Sequence, residues 1–82
     1  MISERDIVRL IKRRRRSLGL TQSDVVTQLQ LAGFDVSVEV YKNIENSRRL
    51  LKVPEFLFLV DLLKINIDAI LAELTGATPG QQ

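Results

Sequence analysis

Eighty-two residues carry twelve Lys and Arg against ten Asp and Glu, with no cysteine and no histidine. A chain of that length is expected to form one domain around one modest hydrophobic core. The missing residue types exclude a thiolate nucleophile, a histidine-based triad and the usual zinc ligand sets, and nothing approaches the run of about twenty apolar residues that a membrane span needs.

The net charge of +2 conceals an asymmetry along the chain. Residues 1–52 hold eleven basic side chains against six acidic ones, whereas residues 53–82 hold one against four. A basic amino-terminal half suits phosphate binding. The charge near the amino terminus, where a secretory signal would have its apolar stretch, sets the expectation of a cytoplasmic protein.

Five helices and no strand are predicted from periodicity and capping residues. The first runs from about Ser3 to Ser17. Ser3 is its cap, Glu4 and Asp6 lie in its first turn, Ile7, Leu10, Ile11 and Leu18 make an apolar stripe, and Gly19 ends it. The second starts at Thr21, whose hydroxyl can cap the amide of Asp24, and continues through Val25, Val26 and Leu29 to Ala32. Gly33 suits a left-handed residue just past its end, and Phe34, Asp35 and Val36 form the turn that follows.

The third helix runs from its cap Ser37 to about Asn46, with Tyr41 and Ile44 on its inward side. The run Val36-Ser37-Val38-Glu39-Val40 alternates as a strand would and competes with that helix on propensity, but it has no second strand to pair with. A loop from Ser47 to Val53 carries Arg48, Arg49 and Lys52. Pro54 suits the first position of a fourth helix that extends to about Lys64 and is almost wholly apolar, which makes it the expected central core helix. Asn66 caps a fifth, in which Ile67, Ile70, Leu71 and Leu74 recur at helical spacing until Gly76. Residues 1–76 are thus the expected domain and residues 77–82 a disordered tail.

Two consecutive helices joined by a glycine-bearing turn, the second short enough to lie in a major groove, describe a helix-turn-helix. With Leu18-Gly19-Leu20-Thr21-Gln22 entering the second helix, Ile44-Glu45-Asn46 closing the third, and Leu62-Leu63-Lys64-Ile65 followed by Asn66 and Ile70-Leu71, the chain resembles the phage-repressor and Cro-like helix-turn-helix family, the xenobiotic-response-element type. The resemblance covers about residues 5–74 and implies a compact, all-α, lambda-repressor-like bundle of five helices. The interval between Thr21-Gln22 and Ile44-Glu45 is longer than in the most compact members, through Gln30 to Asp35, so the chain is similar to the subgroup with a longer second helix and turn.

By that resemblance Gln22 meets a backbone phosphate and braces the recognition helix. The free amides and partial positive charge of a helix start agree with such a role. The resemblance also puts Val38, Glu39, Lys42 and Asn43 towards the bases, and spacing places these four away from Tyr41 and Ile44. Asn43 can pair with adenine, Lys42 with guanine or a phosphate, Glu39 with the cytosine amino group, and Val38 with a thymine methyl. For Val38 and Glu39 the competing reading is that they stabilise the start of the helix, Glu39 through its dipole, because many relatives carry polar or basic residues there. Ser37, Asn46, Arg48 and Arg49 complete the implied phosphate contacts. The arginines from Arg13 to Arg16 span roughly 300° of a helix, so only one or two can face DNA while the others are solvated or paired with acids.

Together these features predict a double-stranded DNA-binding transcriptional regulator, a repressor, with no catalysis, cofactor or metal. Proteins of this kind bind as two-fold dimers, so a homodimer is expected. Leu57, which shares a stripe with Asp61 and Lys64, and the outer side of the fifth helix near Ala72 and Leu74 are where it could form. The rival expectation is the same fold kept as a protein-interaction or antitoxin-like module, which the apolar and acidic pair Val38 and Glu39 would also suit.

Overall fold

Hydroxyl side chains set the starts of three of the four helices found in the computed structural model, which describes residues 3–68, 71 and 72. These are α1 (Glu4–Ser17), α2 (Gln22–Leu31), α3 (Val38–Glu45) and α4 (Val53–Leu62). Before α1, Ser3 Oγ accepts the Asp6 amide at 3.2 Å while the Ser3 amide donates to Asp6 Oδ2 at 3.1 Å. Thr21 and Asp24 repeat the exchange at α2, at 3.0 and 2.8 Å, and Ser37 Oγ accepts the Val40 amide at α3. Each bond satisfies a helix-start group that has no partner within the helix. Val53, rather than Pro54, is the first residue of α4. Pro54 is tolerated one position later because amides throughout that turn lack helical partners.

All four helices close in the same way. The amide two residues beyond the last cap reaches back to a carbonyl, Leu20 to Arg15, Phe34 to Leu29, Arg48 to Asn43 and Ile65 to Val60, at 3.1, 3.0, 2.8 and 2.9 Å. This Schellman geometry puts the residue before each of those amides in the left-handed region. Gly19 and Gly33 occupy it after α1 and α2, whereas Ser47 and Lys64, with φ of 60° and 55°, occupy it after α3 and α4. A side chain in that conformation costs about 1–2 kcal/mol.

Among the described residues four helices are therefore seen where five were expected. At the expected fifth start, Asn66 Oδ1 accepts the Asp68 amide at 2.8 Å, and Ile67, Asp68, Leu71 and Ala72 are helical. The remainder of that segment, with the expected tail at 77–82, lies outside the described residues. No strand occurs among the described residues. The alternating run resolves instead into a buried Val36 that plugs the core, the cap Ser37, and the first turn of α3.

The core consists of Val8 and Ile11 from α1, Val25, Val26 and Leu29 from α2, Val36, Tyr41 and Ile44 in and before α3, and Leu59 and Leu63 in and after α4. α3 packs closely on both α2 and α1, so it rather than α4 is the hub. α4 buries one side only, with Leu59 buried and Leu57 58% exposed. The Phe58 ring meets Phe34 at a centroid distance of 5.5 Å, which joins α4 to the turn after α2. On α1 the expected stripe is rotated: Val8 and Arg15 are buried while Leu18 is exposed. Among the described residues no helix is long and apolar enough to cross a membrane.

Candidate functional site

The surface that α3 presents is determined by what lies beneath it. Successive residues advance by roughly 100°, so Tyr41, Ile44 and Glu45 share one side of the helix, while Val38, Glu39, Lys42, Asn43 and Asn46 spread over roughly 140° of the other. The first three are buried. Glu39, Lys42 and Asn46 are exposed, and Val38 and Asn43 are half-buried, Val38 through packing against the core. All four residues expected to face bases thus lie on one side of α3.

A buried ion pair orients that side. Arg15 of α1 donates from Nε to Glu45 Oε2 at 2.8 Å and from Nη2 to Glu45 Oε1 at 3.0 Å, with side chains only 8% and 1% exposed. Its remaining terminal nitrogen donates to the Leu20 carbonyl at 2.8 Å, which also ties down the α1–α2 corner. Gln22, at the start of α2, donates from Nε2 to Glu45 Oε1 at 3.0 Å. One carboxylate at the end of α3 therefore joins three helices. Burial by itself would raise the Glu45 pKa, but the hydrogen bonds from Arg15, with Tyr41 and Gln22 nearby, outweigh it and the net shift is downward. Tyr41 is buried beside the pair, and its hydroxyl has no hydrogen-bond partner among the described residues. Burial, followed by the neighbouring Glu45, pushes the phenol pKa well up and keeps the proton on.

Sequence reasoning did not find this pair, although a signal was present. Arg15 lies four and seven residues after Ile11 and Val8 on the core-facing side of α1, and Glu45 lies four after Tyr41. A charge on a buried stripe requires a buried partner of opposite sign.

The other basic residues divide between internal and external roles. Arg14 donates from Nε to the Leu63 carbonyl at 2.8 Å, anchoring the end of α4 to α1. Arg49 forms a two-pronged contact with Glu55, at 2.9 and 3.0 Å, and donates to the Leu50 carbonyl. The Glu55 carboxylate also accepts the Lys52 amide at 3.0 Å and is 5% exposed. Arg48 is exposed and forms no ion pair among the described residues. Of the residues expected to touch phosphate, Ser37, Asn46 and Arg48 are thus open to solvent, Gln22 keeps one amide N–H beyond its bond to Glu45, and Arg49 is held by Glu55. Among the described residues no group of His, Cys, Asp and Glu could hold a metal ion. Compared with known proteins, the chain matches no family model, no curated protein and no solved structure.

Proposed function

We propose that this protein is a sequence-specific duplex DNA-binding regulator of the phage-repressor helix-turn-helix type, in which α2 and α3 form the motif and α3 enters the major groove. The observation that carries the reading is the anchoring of α3. Its inward side is tied to α1 and α2 through Glu45, while Val38, Glu39, Lys42 and Asn43 remain together on the opposite side. A rigidly held polar helix face gives the geometric precision that base recognition needs. Lys42 and Asn43 read bases, Gln22 offers its second N–H to a phosphate, and Arg48 with Ser37 and Asn46 supplies further backbone contacts. The chain acts by occupying its site, as a repressor, without catalysis. It binds as a homodimer, for which Leu57, 58% exposed, is an apolar candidate contact.

Duplex titration at several salt concentrations tests this, with a sequence selected from a random pool compared against the pool itself. The expected result is affinity that falls steeply with salt and favours the selected sequence. Replacing Asn43 with Ala should remove about 1–3 kcal/mol of that preference, roughly 5- to 150-fold. No binding at low salt overturns the proposal.

A second reading, a protein-interaction module on the same fold, is favoured by one observation. Val38 and Glu39 place an apolar and an acidic side chain at the start of the presented face, and Arg49 is already neutralised by Glu55. Reversal of charge at Arg48 alone separates the two readings, because Arg49 cannot be reversed without breaking its internal pair. Loss of duplex binding supports DNA, whereas a DNA-independent activity that survives supports the partner.

A further inference from the structure

Consecutive arginines scatter around a helix, but α1 organises part of the basic run into a stripe. Arg5, Arg9, Lys12, Arg13 and Arg16 recur at helical spacing and fall within roughly 100° of the helix circumference. Arg5, Arg9, Arg13 and Arg16 are exposed and Lys12 is half-exposed. Among the described residues, Arg5, Arg9, Lys12 and Arg16 form no ion pair, and Arg9 acts on the neighbouring Asp6 only as a lesser influence after that residue's bonds to Ser3. Arg14 and Arg15, which leave the stripe, make internal contacts.

The stripe is continuous with the end of α3. Arg5, Arg9 and Lys12 line a shallow groove whose opposite wall is Asn46 and Ser47, the residues that close α3. Glu45 reaches the same groove, but its charge is matched by Arg15. Beyond Arg48 the chain runs back to the start of α1, where the Leu51 amide donates to Glu4 Oε1 at 2.9 Å. The loop that follows α3 therefore returns to the start of α1, with the Glu4 carboxylate at the junction and the cations of α1 beyond it. From Arg5 to Arg16 the stripe extends roughly 16 Å at 1.5 Å per residue. Phosphates on one strand of B-DNA are spaced at about 3.4 Å along the axis, so a stripe of this length faces several of them.

We propose that the outer face of α1 is a phosphate-tracking surface that grips the DNA backbone beside the groove occupied by α3, adding sequence-independent affinity outside the base-reading helix. This rests on the duplex-binding reading given above. Exposed cations in line on a helix suit a polyanion of regular charge spacing, and their continuity with Asn46 and Ser47 places them beside the same backbone.

The test replaces Arg9, Lys12 and Arg16 together with Gln, which preserves helix propensity and leaves Arg14 and Arg15 in place. Wild type and variant are titrated with a selected duplex and a scrambled duplex of equal length over a range of salt, and circular dichroism checks folding. The slope of log K against log salt should fall by about 0.9 for each phosphate no longer neutralised, about 2 to 3 in all, with the ratio between the two duplexes unchanged. A single Asn43→Ala variant, which removes no charge, should do the reverse, lowering that ratio with little change in slope. If wild type binds duplex and the triple variant keeps its slope, the inference fails while the duplex-binding reading stands. If wild type binds no duplex, that reading fails first. If the variant loses only adhesion to phosphatidylserine vesicles, the stripe serves a lipid surface and the inference is overturned.

Discussion

Replacing Glu45 with Gln keeps the shape of the side chain and removes its charge, and the consequence follows from the burial of Arg15. The guanidinium would retain the Leu20 carbonyl but lose the only carboxylate bonded to it among the described residues, inside a site where the Glu45 side chain is 1% exposed. Removing one member of a buried pair typically costs about 3–5 kcal/mol, because the remaining charge stays desolvated. A domain of this size has a total stability of about 4–12 kcal/mol at about 0.05–0.15 kcal/mol per residue. Thermal unfolding should therefore move down by at least about 12 °C, at about 4–8 °C per kcal/mol. Arg15→Met should be destabilising for the complementary reason, whereas Arg15→Met with Glu45→Leu should recover most of the loss, since an apolar pair needs no compensating charge. Urea melts of wild type, Arg15→Met, Glu45→Leu and the double variant give the coupling directly as a double-mutant cycle.

The same pair predicts the response to acid. Glu45 has a lowered pKa in the folded protein, so it binds its proton more readily when unfolded. Its contribution to stability is complete above the unfolded carboxyl value of about 4.3 and is lost as pH falls through the lower folded value. The Gln variant lacks this contribution, and its stability should change less with pH across that window. A Glu45→Gln protein that melts within about 4 °C of wild type, equivalent to at most about 1 kcal/mol, would refute the buried pair and with it the anchoring of α3.

Two further outcomes test local structure. Gly33 has φ of 96° with nothing near the position of an added Cβ, so Gly33→Ala should cost about 1–2 kcal/mol from backbone strain alone, while Lys64→Gly, at a site of φ 55° in the same closing motif, should stabilise by about 0.5–1 kcal/mol; urea midpoints decide, and equal signs would contradict the shared geometry. Arg49→Gln should leave the Glu55 carboxylate buried against the Lys52 amide alone, costing about 1–3 kcal/mol and raising its pKa, which burial already pushes up and Arg49 now offsets; an unmoved Glu55 titration by NMR would show that the pair is solvated.

How far the fold could be read in the sequence depended on whether a feature was local. Ser3, Thr21 and Ser37 cap as their positions imply, and Gly19 and Gly33 stop helices where a missing Cβ is needed, because each acts within a few residues of itself. The closing turns at Ser47 and Lys64 carry no glycine and gave no such signal. Tyr41 and Ile44 were legible as inward from spacing alone. The bracing of α3 was not, because Arg15 and Glu45 lie thirty residues apart and meet only through packing. Arg49 belongs to the same class: its basic character is evident in the sequence, but its commitment to Glu55 depends on how α4 starts.

The division of labour among the cations follows from these contacts and bears on function more than the net charge does. Arg14, Arg15 and Arg49 hold helices together, and Arg15 and Arg49, matched by Glu45 and Glu55, add little to any external field, whereas Arg14, bonded to the neutral Leu63 carbonyl, keeps its charge. What remains outside on the basic half includes Arg5, Arg9, Lys12 and Arg16 of α1, with Lys42, Arg48 and Lys52, and Glu39 is the acid on the exposed side of α3. A repressor that relied on its recognition helix for electrostatic attraction would find one lysine there opposed by one glutamate. Under the duplex-binding proposal, affinity would come mainly from α1 and the loop, leaving α3 to discriminate. This separation predicts that the salt dependence and the sequence preference of binding can be altered independently, by residues on different helices.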